Sequence, residues 1–338
     1  MKPLISVLIP VYGVEKYIEK CLKSVFENTI AEKCEFILVN DCTKDSSIQI
    51  AKTMISSFPN LDVKIIEHDM NCGIGATRNT ALKNATGNYI IYVDSDDWVE
   101  KDFLEKLYNE AEKKSADITF CDWYEERGIE TSVFSHNTLQ LSNNILEEFL
   151  KSKIPAYMWN KLINKNLITK NAIEFEPGIN NWEDETICLK LFSMAKSFAY
   201  INLPLYHYQI RNNSYIRCLI TEKTKNDFFN SISAMSLFFD RPELEQYRDL
   251  LNFKKNHAKQ KILIDGTRRM QKKYLSLWPE SYPYIKQDAT LPSRVKIILC
   301  TAKTAPFISK ILLFIHSSLK IVLRHQFTWK QYFSKSED

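Results

Sequence analysis

Four short runs rich in Ile and Val, at residues 4–11, 35–39, 63–67 and 89–93, are separated by amphipathic segments, and this alternation constrains the fold more than any other feature. Glu15 to Thr29 carries Tyr17, Ile18, Cys21, Leu22, Val25 and Phe26 at helical spacing, and Asp45 to Phe58 does the same with Ile48, Ala51, Met54, Ile55 and Phe58. The third spacer, Ile74 to Ala85, stops just before Gly87, a helix C-terminal signal. Alternating strands and helices predict an α/β fold: a Rossmann-like, mostly parallel sheet with helices on both faces. Ligands bind such sheets beyond the carboxyl ends of the strands. Tyr12 and Gly13, Asn40 and Asp41, His68 and Asp69, and Asp94 to Asp97 all fall at those ends and describe one crevice.

The fourth run stops at Asp94-Ser95-Asp96-Asp97. Charges this close repel by about 1 kcal/mol per pair in water, and by up to ~4 kcal/mol where solvent is partly excluded. Folding alone gives little reason to collect three of them. One Asp would cap the helical pattern that runs from Trp98 to Lys113. Three point to a divalent cation, and oxygen ligands favour Mg²⁺ or Mn²⁺.

With these residues in place the chain resembles a known family. Ile5-Ser6-Val7-Leu8-Ile9-Pro10-Val11-Tyr12, Ile37-Leu38-Val39-Asn40-Asp41, Asn71-Cys72-Gly73 with Ala76-Thr77-Arg78-Asn79, and Asp94-Ser95-Asp96-Asp97-Trp98 look like the ordered motifs of glycosyltransferase family 2, over residues 4–110. Gly13 stands where Asn is common in that family, and Cys42 where Gly usually follows Asn-Asp. The resemblance implies a GT-A fold and transfer of a hexosyl group from a nucleotide sugar, UDP-linked, to a carbohydrate or lipid-linked acceptor in polysaccharide synthesis. It also implies metal-dependent direct displacement with inversion.

Residue by residue, the resemblance implies that Pro10, Val11 and Tyr12 form the floor under the nucleotide and that Asp41 accepts from the imide N–H of a uracil-type base. Arg78 would neutralise or position the nucleotide, Asp94 with Ser95 would hold the ribose side, and Asp96, with Asp97 as second ligand, would hold the metal. Other readings stay open on the residues alone. Asp41 also suits a turn ahead of a helix, and Arg78 also suits a solvated helix surface.

Two look-alikes fail. Gly73-Ile74-Gly75-Ala76-Thr77-Arg78 mimics the start of a dinucleotide fingerprint but lacks the third Gly and follows the third strand. Nucleotidyltransferases carry a glycine-rich, basic loop after the first strand, whereas here that place has a single Gly and no cation before Lys16.

Beyond residue 115 the resemblance thins. Asp117 to Asp122 reads as a further strand, and Ser142 to Lys151 as a capped helix burying Ile145, Leu146, Phe149 and Leu150. Trp159-Asn160-Lys161-Leu162 and Trp182-Glu183-Asp184-Glu185 set aromatic beside charged residues, and the second cluster lies where many family members carry a Glu-Asp pair before a helix. In those relatives the Asp is the general base. Asp184 takes that role here by resemblance, with Glu183 and Glu185 as fallbacks, against the plain reading of carboxylates at a helix N-terminus. His207, flanked by Tyr206 and Tyr208, reads as structural before it reads as a metal ligand.

At 338 residues the chain exceeds one average domain. The pattern divides it into a GT-A domain at 1–215, with a nucleotide-binding half at 1–115 and an acceptor half at 116–215, and a C-terminal helical region at 216–338. The eight cysteines form no C-x-x-C pair and read as reduced core thiols of a cytosolic protein. No signal peptide and no spanning run is evident. The segment from Phe253 to Tyr274 is rich in Lys and Arg, which reads as a solvated helix face. From Lys286 to Asp338 nine Lys or Arg oppose three acids, and Ile308, Ile311, Leu312, Ile315, Leu319, Val322 and Leu323 share one helical face. That combination fits peripheral contact with an anionic membrane at the inner face through 293–325. It fits equally a helix packed on the catalytic domain or on a second subunit of a homo-oligomer. Nucleic acid is disfavoured, because aromatics do not interleave with the charges. The competing functional class is a nucleotide-sugar-binding or scaffolding protein without turnover, which the intact Asp94, Asp96, Asp97 and Asp184 disfavour.

Overall fold

Seven consecutive buried side chains make β1 (Ile5–Val11) the centre of a parallel sheet, flanked by β2 (Cys34–Asn40) and β4 (Tyr89–Tyr92), with β3 (Asp62–Glu67) at the edge. The structure, a computed structural model, describes residues 2–135, 144–211 and 220–316. Alternation along these strands feeds two cores. Ile5, Val7, Ile9, Phe36, Leu38 and Ile91 meet α1 (Ile18–Phe26), α2 (Ser47–Ser56) and α4 (Phe103–Lys114) on one face. Leu8, Ile37, Val39, Ile90 and Tyr92 meet α3 (Ile74–Asn84) on the other. The expected sheet with helices on both faces is present.

The sheet then continues with mixed polarity. Strands run in the order β3-β2-β1-β4-β8-β6-β9-β5. β8 (Lys161–Asn164) pairs antiparallel with both β4 and β6 (Ile118–Arg127), and β9 (Phe198–Gln209) runs parallel to β6. β6 also pairs with β7 (Glu130–Phe134) across a two-residue turn in which Gly128 has φ +63°. The helix expected from Trp98 starts later. Trp98 and Val99 form β5, paired with His207 and Tyr206 of β9, and α4 begins at Phe103 behind Asp102. Asp94, Asp96 and Asp97 therefore cap no helix.

α5 (Ile145–Leu150) is capped by Asn144, whose side chain accepts from Glu147 N; Ser142 lies outside the described residues. Together with α6 (Lys165–Asn171), α7 (Glu183–Met194), α8 (Glu222–Phe238) and α9 (Leu251–Ile264) it extends the Leu8 core without interruption to Met270. The boundary expected near 215 falls within 212–219, outside the described residues. Beyond α9, α10 (Arg268–Tyr274), α11 (Tyr282–Ile285), α12 (Ser293–Thr304) and a helical stretch at 306–316 enclose a smaller core around Leu263, Ile285, Leu299 and Leu313. The basic segment expected to be a solvated face divides in two. Lys254 and Lys259 are buried, the first paired with Glu185 at 2.8 Å, while Arg268, Arg269, Lys272 and Lys273 are exposed. Among the described cysteines all seven are free thiols, four of them buried.

Glu35, fully buried in β2, ties the sheet's lower end together. It accepts from the Ser6 hydroxyl at 2.6 Å, the Gly87 N–H at 3.0 Å, the Thr86 hydroxyl at 2.8 Å and the Lys64 ammonium at 3.1 Å. Burial alone would raise its pKa, but these donors outweigh burial and hold it at about 2. A depressed carboxyl contributes stability above its unfolded pKa and loses it as pH falls through the folded one. Denaturant unfolding from pH 5 down to pH 2 should therefore cost the parent protein on the order of 2 kcal/mol more than Glu35→Gln. Parallel pH profiles for the two proteins would show that Glu35 is not a stabilising ionised group.

Candidate active site

At the carboxyl end of β2, Asp41 is buried at 3% exposure and faces the turn before α3. Gly73 makes that turn with φ +86°, where a Cβ would lie 2.0 Å from Asn180 Oδ1, so only glycine fits. The turn aims two backbone N–H groups at Asp41: Cys72 donates to Oδ1 at 2.8 Å and Gly73 to Oδ2 at 2.9 Å. His68 Nδ1 lies 2.9 Å from Oδ1, and its Nε2 lies 2.9 Å from the Thr80 hydroxyl. Asp41, His68 and Cys72 bring three metal-ligand atoms within 4.8 Å of one another. Both Asp41 oxygens and both ring nitrogens already have partners, so this group forms a hydrogen-bonded shelf and not a vacant chelate.

Pro10 and Val11 are buried in β1, and Tyr12, 54% exposed, stands at its end. The loop after it is stitched to the one after β2: Gly13 N donates to the Thr43 hydroxyl at 2.9 Å and Val14 N to the Ser47 hydroxyl at 3.0 Å. Cys42 sits at φ +58°, keeping the left-handed conformation that Gly adopts more readily.

Arg78 is no helix-surface cation. It is 3% exposed and forms the hub of the site. One terminal nitrogen donates to Glu183 Oε1 at 2.9 Å and to Asp184 Oδ1 at 2.5 Å, and the other donates to Asp94 Oδ1 at 3.0 Å. These contacts join α3, the end of β4 and the start of α7, where Trp182 turns the chain at φ +64°. Arg78 thus reaches carboxylates, where the resemblance assigned it to the nucleotide.

Asp96 and Asp97 divide in role. Asp97, 1% exposed, accepts from the Tyr206 hydroxyl at 2.7 Å and from Gln209 N at 2.8 Å, which anchors β9 to the acidic loop. Both its oxygens are engaged by the protein, a geometry unlike that expected of a second metal ligand. Ser95 is buried between its acidic neighbours. Asp96 pairs with the guanidinium of Arg211, which also lies 5.2 Å from the Tyr17 ring.

The site holds five carboxylates, Asp94, Asp96, Asp97, Glu183 and Asp184, against the guanidiniums of Arg78 and Arg211. Burial pushes the Asp96 carboxyl up to about 6 even with Arg211 opposing it. Burial and the neighbouring Asp96 and Asp94 push Asp97 up further. Burial likewise raises the coupled Glu183 and Asp184 despite Arg78. Five acids face two guanidiniums, and Asp96, a hard oxygen donor at the mouth of this acidic loop, is the residue whose chemistry fits the expected metal.

Three contributors were given no role in the site from the sequence, although Lys161 lies in a cluster it singled out and Tyr206 beside His207. Lys161, 1% exposed, donates to the Pro155 carbonyl at 3.2 Å and to Asn160 Oδ1 at 2.9 Å, bracing the loop whose Met158 N–H donates to Asp184. The Tyr206 hydroxyl also receives the Asp94 N–H at 3.1 Å. Arg211 was merely the last cation of its segment. His207 is structural, stacked between Trp98 and Tyr124 with its ring nitrogens 2.7 Å from Glu126 and 3.0 Å from Glu100.

Residues 6–169 match the model of the glycosyl transferase family 2 domain. EpsH of Bacillus subtilis (strain 168) is 28% identical over 263 residues, which is 74% of this chain and 73% of EpsH. The poly(ribitol-phosphate) β-glucosyltransferase of Bacillus spizizenii is 32% identical over 62% of this chain, which spans only 32% of that longer protein. In three dimensions the chain is similar to residues 1–349 of S. aureus TarS, solved in complex with UDP-GlcNAc: TM-score 0.69 at 20% identity, over 94% of this chain and 91% of that one.

Proposed function

Because the chain belongs to glycosyltransferase family 2 and is a glycosyltransferase, we propose that it moves a sugar from a UDP-linked donor to a carbohydrate or lipid-linked acceptor in polysaccharide synthesis, with inversion. The observation that carries this reading is the Arg78 hub, which from α3 gathers three acids from the end of β4 and the start of α7 beside the Asp41 shelf. A relative named poly(ribitol-phosphate) β-glucosyltransferase and a structural neighbour solved with UDP-GlcNAc support it.

In this reading Tyr12 covers the base, and Asp41, pre-oriented by the Cys72 and Gly73 N–H groups, accepts the uracil imide proton through a remaining lone pair. Asp94, fixed by Arg78 and Tyr206, holds the ribose side. Asp96 would hold Mn²⁺ or Mg²⁺, which when bound supplies Lewis-acid stabilisation to the departing diphosphate. Asp184 accepts the proton of the attacking hydroxyl; burial raises its pKa toward the range where a carboxylate is an effective base. Direct attack by the acceptor, with inversion at the anomeric centre, is what the resemblance to the family implies for this arrangement.

Asp96→Asn keeps the shape of the site and removes the charge that offsets the cation. Outer-shell partners of a metal alone are worth about 10- to 100-fold in affinity, so calorimetry with UDP-GlcNAc and Mn²⁺ should show a loss on the order of 100-fold. Parent-like affinity in that variant would remove Asp96 as the ligand. Absence of any UDP-sugar binding by the parent protein would remove the donor assignment.

A further inference from the structure

The C-terminal helices carry an exposed apolar ridge directly beside an exposed cationic face. In the helical stretch 306–316, Ser309 and Leu313 are buried while Phe307 is 74%, Ile308 49%, Ile311 44%, Phe314 55% and Ile315 46% exposed. The inner side is anchored by Leu313 in the small core and by the Ser309 hydroxyl, which donates to the Ile298 carbonyl at 2.9 Å. The outer side is therefore a fixed feature of the fold, and Ile297 of α12, 56% exposed, adds to the apolar surface of the same helical unit.

On α10, Arg268, Arg269, Lys272 and Lys273 are exposed, and none makes an ion pair among the described residues. The Arg268 guanidinium lies 5.2 Å from the Phe314 ring, so the two patches are continuous. Glu222, paired with Lys225 at 2.6 Å, is an acid near Arg269 and Lys273, and along the C-terminal chain the charge is one-sided. Between residues 266 and 316 nine Lys or Arg oppose two acids, and both acids are engaged, Glu280 with Lys255 at 2.7 Å and Asp288 with His257 at 3.1 Å.

We propose that the α10 cations and the outer face of 306–316 form one docking surface for an anionic phospholipid bilayer, with Phe307, Ile311 and Phe314 entering the headgroup boundary. A nucleic acid would use the cations and leave the Ile and Phe ridge in water. A protein partner would have to bring both an apolar groove for the ridge and acids for four cations that make no ion pair among the described residues. A bilayer with acidic headgroups satisfies both halves with one surface, since its surface potential draws the basic residues and its acyl region takes the apolar ones. The surface lies on the membrane and does not cross it; no helix among the described residues is long and apolar enough to span. None of these residues belongs to the sugar-transfer site, so the inference stands apart from the proposed donor and acceptor.

Flotation of the full chain with phosphatidylcholine vesicles, with and without phosphatidylglycerol, tests it. Recovery should require phosphatidylglycerol and drop at least tenfold between low and high salt. Each basic residue near an anionic surface multiplies affinity about fivefold, so Arg268→Glu combined with Lys272→Glu should lower recovery at least tenfold. Ile311→Ser with Phe314→Ser should also weaken it, while thermal shift with UDP-GlcNAc stays parental in both variants and reports an intact fold. No flotation, equal flotation on neutral vesicles, or indifference to both pairs of substitutions would overturn the proposal. A concentration-dependent dimer lost in Ile311→Ser and Phe314→Ser, with no flotation of the parent, would overturn it in favour of a second copy covering the ridge.

Discussion

Asp184→Asn is expected to bind a UDP sugar as tightly as the parent while losing about 10²- to 10⁴-fold in turnover. A general base acts on the acceptor hydroxyl, so its loss falls on kcat and leaves donor affinity alone. The amide's single oxygen can still accept from Arg78, and the Arg78 bonds to Glu183 and Asp94 are untouched, so the hub keeps its contacts. Glu183→Gln is the control. Its carboxyl is 12% exposed, shares the same Arg78 nitrogen and is pushed up by burial beside Asp184, which suits a group that helps hold the hub. It should lose far less activity. Single-turnover transfer measured beside donor calorimetry separates the two effects, and a fully active Asp184→Asn would move the base to Glu183 or Asp94.

The sheet that positions this chemistry was legible in the sequence because β1, β2 and β4 bury both faces and so read as apolar runs, with the half-exposed β3 marked by Val63, Ile65 and Ile66. The four strands of the parallel half lie within one residue of their expected ends. The same logic failed at Trp98. Trp98, Val99, Phe103 and Leu104 recur at helical spacing, yet Val99 is claimed by Tyr206 of β9, a pairing more than a hundred residues distant that no local pattern records. The β6–β7 hairpin was missed although Gly128 marked its turn, since the flanking Glu and Arg residues of that exposed hairpin show no apolar alternation.

The acids were legible for a different reason. Carboxylates crowded at a strand end oppose folding, and residues that oppose folding are where function shows. Their counter-charges were not. Arg78 and Arg211 look like ordinary surface cations in the chain, and only the fold brings one to Asp184, 106 residues away, and the other to Asp96. The Asp97 contacts are equally non-local, because the hydroxyl and N–H that occupy its oxygens come from β9. Motif reading therefore located the charges that need a partner, and the fold adds the protein groups that each of them meets.

Arg78→Met should be the most destabilising single change at the site. It removes a buried cation and leaves Asp94, Glu183 and Asp184 facing one another with no counter-charge, and breaking a buried ion pair in this way costs about 3–5 kcal/mol. The pH dependence carries the diagnosis. Removing Arg78 removes the charge that opposes burial, so the Glu183 and Asp184 carboxyls rise further above their unfolded values. A raised folded-state pKa gives stability that is complete below the unfolded value and is lost as pH rises through the folded one. The deficit of Arg78→Met relative to the parent should therefore be largest near pH 8 and shrink toward pH 5, where the stranded acids take up protons. Urea unfolding across that range measures it. The double variant Arg78→Met with Glu183→Gln should recover part of the loss at pH 8, because one of the stranded charges is gone. A deficit that is constant with pH, or no recovery in the double variant, would mean that Arg78 stabilises the site by packing alone, and the view of it as the electrostatic centre of the cleft would fall with it.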